Sequence, residues 1–274
     1  MSSSEAELVR TERHGEDGEV VEIVLDRPDA LNAVSTAMAR AIARVGARVA
    51  ADPDVRCVVL SSSQHRAFCV GADLKERNQL TDAQLFEQRP LGRAAYRSIL
   101  DLPVPAIAAV EGHALGGGFE LALSCDLIVA GAGAAVGLPE VSVGVIPGGG
   151  ATQLLPRRVG WSRAASMVFT ARRLSAAEAH VLGAVDEVVP TGTARERALE
   201  LAAAIAANSP VGLRQAKKAM RLGFDLDLVA GLEIEDGCWR QTAFSADRVE
   251  GVAAFVEKRR PRWPRRRGDG PAGG

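Results

Sequence analysis

The chain has 274 residues, of which 47% are hydrophobic, 24% charged and 4% aromatic. This composition is typical of a globular protein and excludes wholesale disorder, and the length allows one large domain with a substantial core. The formal net charge is −1, and subtracting the six arginines within residues 259–267 leaves the rest of the chain at −7. An acidic body argues against a nucleic-acid-binding domain.

The cysteines and the hydropathy pattern restrict the cellular setting. Cys57, Cys69, Cys125 and Cys238 lie far apart without a CxxC pair, which favours neither a zinc site nor a disulfide framework. A reducing cytoplasm is therefore the expected location. The first residues lack a basic-then-apolar signal region, and no run of 18 apolar residues predicts a membrane-spanning helix.

Strands and helices are predicted to alternate over residues 20–190. The predicted strands are Val20–Leu25, Cys57–Leu60, Ala106–Val110, Asp126–Ala130 and Val185–Val189. The predicted helices are Ser35–Ala51, Thr81–Leu100 and Phe119–Ser124. Residues 61–73 are interpreted as a loop. Ser175 and Glu178 have the spacing of a capping box, as do Thr193 and Glu196.

The pattern changes after about residue 191, where four consecutive helices are predicted. They cover Thr193–Ala207, Pro210–Leu222, Leu226–Thr242 and Ala246–Arg260. We therefore divide the chain into an α/β catalytic core at 1–192, a helical C-terminal oligomerisation region at 193–260, and a basic tail at 261–274 that we expect to be disordered.

Three consecutive glycines, Gly116–Gly118, stand between a predicted strand and a predicted helix. Glycines at such a junction let a ligand approach the backbone, and free amides at a helix start can bind a developing negative charge. A tight turn with close packing explains the glycines equally well. The pattern is neither GxGxxG nor GxxxxGK[ST], so dinucleotide and P-loop sites are excluded.

Together with its neighbours, this segment resembles the enoyl-CoA hydratase/isomerase (crotonase) family. The motifs that carry the resemblance are Asp26–Ala33, Ala67–Lys75, Ile107–Asp126, Leu138–Gly150 and Ala253–Lys258. Within the family, Gly71–Arg77, Ile146–Gly150 and Asp227–Glu235 are most similar to the methylglutaconyl-CoA hydratase branch. The resemblance implies the crotonase-type spiral of β/α units, followed by a helical region that drives assembly.

The resemblance also implies the reacting residues. The backbone amides of Ala72 and Gly117 would form an oxyanion hole for the thioester oxygen. Glu120 would deprotonate the water that attacks Cβ, and Glu140 would deliver a proton to Cα, although the two residues could share these roles. Two carboxylates around one water suit general acid–base addition. The default interpretation of each glutamate is a solvated surface charge.

The implied coenzyme A site has two parts. Ala30, Leu31, Ala72, Asp73, Leu74, Lys75 and Gly117 would line the substrate channel of one subunit. Phe255 and Lys258 would approach from a neighbouring subunit, because family members are trimers or dimers of trimers. A cation near the coenzyme A phosphates is physically sensible. Both lysines have an alternative interpretation as ordinary solvated side chains.

The predicted function is enoyl-CoA hydratase, with syn addition of water to a 2-enoyl-CoA and a methylglutaconyl-type branched substrate as one option. No cofactor and no metal is expected, since coenzyme A is part of the substrate. The alternatives are double-bond isomerisation or other acyl-CoA enolate chemistry, a silent paralogue, and a remote RNA-binding role through the helix with Arg89, Arg93 and Arg97. RNA binding would depend steeply on salt. The basic tail could add positive potential near the coenzyme A phosphates.

Overall fold

A computed structural model describes residues 8–264. Two β-sheets form its framework. The strands are β1 Val9–His14, β2 Val20–Leu25, β3 Cys57–Ser62, β4 Ala67–Cys69, β5 Ala106–Val110, β6 His113–Leu115, β7 Leu127–Gly131, β8 Ala135–Gly137, β9 Arg173–Ser175 and β10 Glu187–Val189.

The larger sheet has the order β1-β2-β3-β5-β7-β10, and all its pairings are parallel except β1 with β2. Alternate residues of a strand point to opposite faces, and here both faces are buried. In β3, Val58 and Leu60 join the main core, whereas Cys57 and Val59 pack with the alanines of a C-terminal helix. The apolar runs of the parallel strands follow from this burial on both sides.

The smaller sheet has the order β4-β6-β8-β9. After β3, β5 and β7 the chain leaves the larger sheet and adds one strand to the smaller one, which yields a repeating two-layer path. Each strand of this sheet has only three residues, too few for a recognisable alternation. The prediction of an uninterrupted loop over 61–73 is therefore wrong, because β4 lies within it.

Helices cover the sheets and build the C-terminal region. They are α1 Thr36–Ala50, α2 Leu74–Arg77, α3 Asp82–Leu100, α4 Gly117–Leu123, α5 Ala151–Val159, α6 Trp161–Thr170, α7 Ala176–Leu182, α8 Ala194–Ala206, α9 Pro210–Gly223, α10 Leu228–Ala243 and α11 Ala246–Val256. Short 3-10 helices occupy Pro28–Ala30 and Pro139–Val143. None of the described helices has the length and apolar character needed to cross a membrane.

The two predicted capping boxes have different outcomes. The Ser175 hydroxyl accepts from the Glu178 amide, and the Glu178 carboxylate accepts from the Ser175 amide, as predicted. The prediction for Thr193 and Glu196 is wrong, since the Thr193 side chain forms no cap. Its hydroxyl donates to Pro190 O instead, and the buried Glu111 carboxylate accepts from the Ala194 amide at the start of α8.

Helices α9–α11 attach to the core through a few polar contacts. Lys217, in α9, is buried and donates to Asp126 Oδ2 at 2.6 Å and to Val104 O at 2.8 Å. Beyond α11, the indole of Trp263 donates to Ala207 O at 2.8 Å, so the described part of the predicted tail lies against α8. The predicted disorder of residues 265–274 falls outside the described residues.

All four cysteines are buried, and each is a free thiol. The sequence likewise favours no disulfide framework. Burial raises the pKa of the Cys69 and Cys125 thiols to about 12. Both side chains therefore remain protonated at neutral pH and pack as small apolar groups.

Candidate active site

Glu120 lies in α4 with its side chain almost entirely enclosed, at 2% exposure. Its Oε1 atom accepts hydrogen bonds from the Gly149 amide at 2.7 Å and from the Ala151 amide at 3.0 Å. Burial raises the pKa of Glu120, and the two amides oppose this rise. They hold one oxygen in place, and Oε2 keeps its capacity to accept a proton.

Glu140 lies in the 3-10 helix Pro139–Val143, next to the start of α4. A Cβ atom added to Gly116 would lie 2.9 Å from Glu140 Oε1, so the carboxyl group contacts the glycine segment directly. Glu140 Oε2 is buried and has no hydrogen-bond partner among the described residues. A buried polar atom without a partner calls for an explanation, and a hydrogen bond to a ligand supplies one.

The two carboxyl groups influence each other electrostatically. Burial and the nearby charge of Glu120 raise the pKa of Glu140 to about 7. A carboxyl group that titrates near neutrality can act as an acid or as a base at physiological pH. The default interpretation of both residues as solvated surface charges is therefore wrong.

The backbone around Gly71 brings the second predicted element to the same place. Gly71 has φ +90°, and a Cβ atom there would lie 2.8 Å from Leu115 O and 3.0 Å from the Gly117 nitrogen. Only glycine permits this approach. Among the described residues, no acceptor takes a hydrogen bond from the Ala72 amide or from the Gly117 amide. Two unpaired donors on adjoining backbone segments are the components of an oxyanion hole.

The predicted channel residues lie beside this backbone. The Val70 amide donates to Leu31 O at 3.2 Å, which places the segment with Ala30 next to the loop before α2. The Asp73 carboxylate is already engaged, because it caps α2 and forms an ion pair with Arg27 at 2.7 Å. Leu74 is exposed, and the exposed Lys75 ammonium group has no ion pair among the described residues.

Phe255 and Lys258 are not brought to the glutamates within one chain. Phe255 is 86% exposed on α11, which packs on α9 and α10. Lys258 follows α11 with φ +55° and is also exposed. The single chain leaves both side chains free to meet another surface.

Two residues near the glutamates did not emerge from the sequence. The ring of Tyr96, in α3, contacts Gly149, and its hydroxyl contacts Gly117. Arg89, also in α3, donates to Gly148 O at 2.8 Å. In the sequence, Arg89 stands out only as part of a basic helix, and the residue spacing on α3 does not indicate that this helix faces the glycine-rich loop.

Among the described residues, one arginine of the basic helix has its charge compensated by an ion pair. Arg89 is bonded to Gly148, and Arg97 forms an ion pair with Asp101 at 2.8 Å. Of the three arginines, only Arg93 is left without such a contact among the described residues.

Among the described residues, one cluster has metal-ligand geometry, formed by Glu12, His14 and Glu22. Its charge is already compensated, because the Arg195 guanidinium donates to Glu12 at 2.9 Å and to Glu22 at 2.6 Å. Ser61 adds a further hydrogen bond to the buried Glu22. The cluster is an ion-pair network between β1, β2 and α8.

The fold is a two-sheet α/β framework that places two carboxylates beside a glycine-rich helix start. The sequence profile of the enoyl-CoA hydratase/isomerase family matches residues 15–266. Human methylglutaconyl-CoA hydratase, mitochondrial, is 40% identical over 248 residues, which cover 89% of this chain and 73% of that protein. Human enoyl-CoA hydratase domain-containing protein 2, mitochondrial, is 42% identical over 255 residues, covering 91% and 87%.

Solved structures agree with the sequence relatives. The crystal structure of enoyl-CoA hydratase from Bacillus anthracis superposes with a TM-score of 0.90 at 38% identity, covering 93% of this chain and 98% of that one. The chain therefore belongs to the enoyl-CoA hydratase/isomerase family. The predicted fold, a crotonase-type α/β core with a helical C-terminal region, is confirmed.

Proposed function

We propose that this protein is an enoyl-CoA hydratase that adds water reversibly to a 2-enoyl-CoA thioester and yields a 3-hydroxyacyl-CoA. The observation that carries the proposal is the pair of glutamates beside the glycine segment: Glu120 is buried and fixed by two amides, and Glu140 is half-buried with a pKa of about 7. Hydration requires a base for water and an acid for Cα, and this pair supplies both. The chemistry needs no metal or redox cofactor, because water and one proton complete it.

The different environments of the glutamates suggest their roles. Glu120 has one oxygen fixed by two N–H donors, which leaves Oε2 to take the proton of the attacking water, and burial raises its pKa and so its strength as a base. Glu140 holds a proton up to about pH 7 and can deliver it to Cα. The O–H bond of water breaks as the C–O bond forms at Cβ. Reversal of both proton transfers gives dehydration.

The amides of Ala72 and Gly117 would stabilise the enolate-like thioester oxygen between these steps. Each such donor lowers the activation barrier by about 2.7–4 kcal/mol in acyl-transfer chemistry. Both amides lack acceptors among the described residues and lie on backbone segments that touch at Gly71. Ala30, Leu31, Leu74 and Lys75 would hold the coenzyme A portion, with Asp73 shaping α2 as its N-cap.

Self-association into a trimer or a dimer of trimers is part of the proposal. The C-terminal helices expose large apolar side chains, among them Phe244 at 84% and Phe255 at 86%. Exposed apolar surface of this kind is typical of an interaction site. Phe255 and Lys258 would then reach the coenzyme A of a neighbouring subunit. A cytoplasmic location remains a prediction, and two human relatives are named as mitochondrial.

The test is turnover of crotonyl-CoA, followed as loss of the enoyl-thioester absorbance. Glu120→Gln and Glu140→Gln should each lower kcat at least about 100-fold, in line with the usual contribution of acid–base catalysis. Glu16→Gln, a change of an exposed glutamate between β1 and β2, is the matched control and should leave kcat unchanged. Near wild-type turnover in either active-site variant would refute its assigned role.

The competing reaction and the acyl group need separate substrates. If the enzyme were an isomerase, it would convert a 3-enoyl-CoA into the conjugated 2-enoyl-CoA, and the enoyl-thioester absorbance would increase. An increase of this absorbance, with no hydration of crotonyl-CoA, would refute the hydratase proposal in favour of isomerisation. A panel of crotonyl-, long-chain enoyl- and methylglutaconyl-CoA would then identify the acyl preference. The similarity to methylglutaconyl-CoA hydratase makes the branched dicarboxylic thioester the informative member of that panel.

A further inference from the structure

Tyr96 is the single tyrosine of the chain, and its ring lies against the loop that holds Glu120. A Cβ atom added to Gly149 would be 2.9 Å from both Cδ1 and Cδ2 of Tyr96. Equal distances to these two atoms place the glycine over the face of the ring. The same added atom would be 2.8 Å from Glu120 Oε2, so the ring and the free carboxylate oxygen flank a single point.

The other end of the ring reaches the oxyanion segment. A Cβ atom added to Gly117 would be 2.2 Å from the Tyr96 hydroxyl oxygen and 3.3 Å from Cζ, which shows that the hydroxyl points at Gly117. The side chain is only partly buried, and the hydroxyl forms no hydrogen bond to the described residues. A phenol hydroxyl that has no partner within the protein is available to a ligand.

The electrostatic environment makes the hydroxyl a neutral donor. Burial, followed by the charges of Glu120 and, more weakly, Glu140, raises the pKa of Tyr96 above its ordinary value. The phenol therefore keeps its proton throughout the working range of an acid–base enzyme. It can donate a hydrogen bond without competing with Glu120 as the base.

We propose that Tyr96 contacts the substrate and that its hydroxyl donates a hydrogen bond to the oxygen that adds to Cβ, first as water and then as the 3-hydroxyl of the product. This inference rests on the proposed hydratase function. The bonding capacity of water fits the site, since its two hydrogens can face the two glutamates and one lone pair can accept from Tyr96. The second lone pair is then directed at Cβ.

A single tyrosine permits a direct test on the unmodified protein. Wild-type protein labelled with 13Cζ-tyrosine has one phenol resonance, which would be recorded with saturating butyryl-CoA and with saturating 3-hydroxybutyryl-CoA. These ligands differ only in the 3-hydroxyl group. A distinct resonance position with the hydroxylated ligand is expected. The same position with both ligands would overturn the proposal, because the phenol would then contact the thioester or the acyl chain.

Kinetics of Tyr96→Phe provide the second measurement, since this change removes the hydroxyl and keeps the ring over Gly149. We expect kcat for crotonyl-CoA hydration to fall by about tenfold or more, the factor expected for one lost hydrogen bond to a reacting group. The affinity for butyryl-CoA and the thermal unfolding temperature should stay close to wild type. Unchanged kcat would refute the role of the hydroxyl.

The outcomes separate this inference from the proposed function. If the wild-type protein hydrates no enoyl-CoA, both proposals are refuted. If the wild-type protein is active and Tyr96→Phe has the same kcat, only the role of Tyr96 is refuted.

Discussion

Replacement of Glu140 by glutamine is expected to change stability in a pH-dependent way. Burial and the charge of Glu120 raise the pKa of this carboxyl group from 4.5 to about 7. The folded protein therefore binds a proton more tightly than the unfolded chain, and wild-type stability falls as the pH rises from about 4.5 through 7. Glutamine does not titrate, so the variant escapes this loss.

The magnitude follows from the size of the pKa change. A rise from 4.5 to about 7 corresponds to about 3.4 kcal/mol, at about 1.36 kcal/mol per tenfold change in proton affinity. Glu140 keeps partial access to solvent, which screens its charge and reduces the expected effect to about 2 kcal/mol. The unpaired amide of glutamine adds a cost that does not depend on pH. The pH dependence of the difference, rather than its absolute value, is the prediction.

The assay is chemical or thermal unfolding of wild type and Glu140→Gln at several pH values from 5 to above 8. The stability of the variant relative to wild type should increase by about 2 kcal/mol over this range and level off above the folded-state pKa. Glu16→Gln serves again as the control with no such trend. A difference that stays constant with pH, or that turns against the variant as the pH rises, would refute the assignment of a raised pKa to the Glu140 carboxyl group.

Two further predictions concern catalysis and assembly. The hydration rate of wild type should fall as the pH rises above about 7, because Glu140 loses the proton it donates. This decrease at high pH should be missing in Glu140→Gln. A wild-type rate that stays constant between pH 6 and 9 would contradict the acid role. Phe255→Asp should lower the assembly mass measured by light scattering, since it puts a charge on the exposed apolar face of α11, and an unchanged mass would place the interface elsewhere.

The success of the sequence predictions depended on the length of the apolar pattern. Helix α1 was predicted within one residue at each end, because its apolar residues recur over four turns and Ser35 caps it. Strand β1, Val9–His14, was missed because its residues are mostly polar, as suits a strand at the edge of the sheet. Helix α5 was missed because Pro156 interrupts its pattern.

The motifs of the sequence identified Glu120 and Glu140 as candidate catalytic residues, but not the environment of their side chains. Sequence spacing indicates that Glu120 stands near a glycine-rich helix start, which local geometry decides. It cannot show that the amides of Gly149 and Ala151 hold its carboxylate, since those residues are 29 and 31 positions away. The raised pKa of Glu140 has the same origin, because burial is a property of the packed chain.

The amino-acid sequence alone determined the family, the order of the main strands and helices, and the residue types available for acid–base chemistry. These features depend on local periodicity and on motifs of a few residues. The tertiary structure alone decided that Tyr96 meets Gly117 and Gly149, that Asp73 is engaged by Arg27, and that the amides of Ala72 and Gly117 have no acceptor among residues 8–264. Contacts between distant segments set these properties, and no short stretch of sequence encodes them.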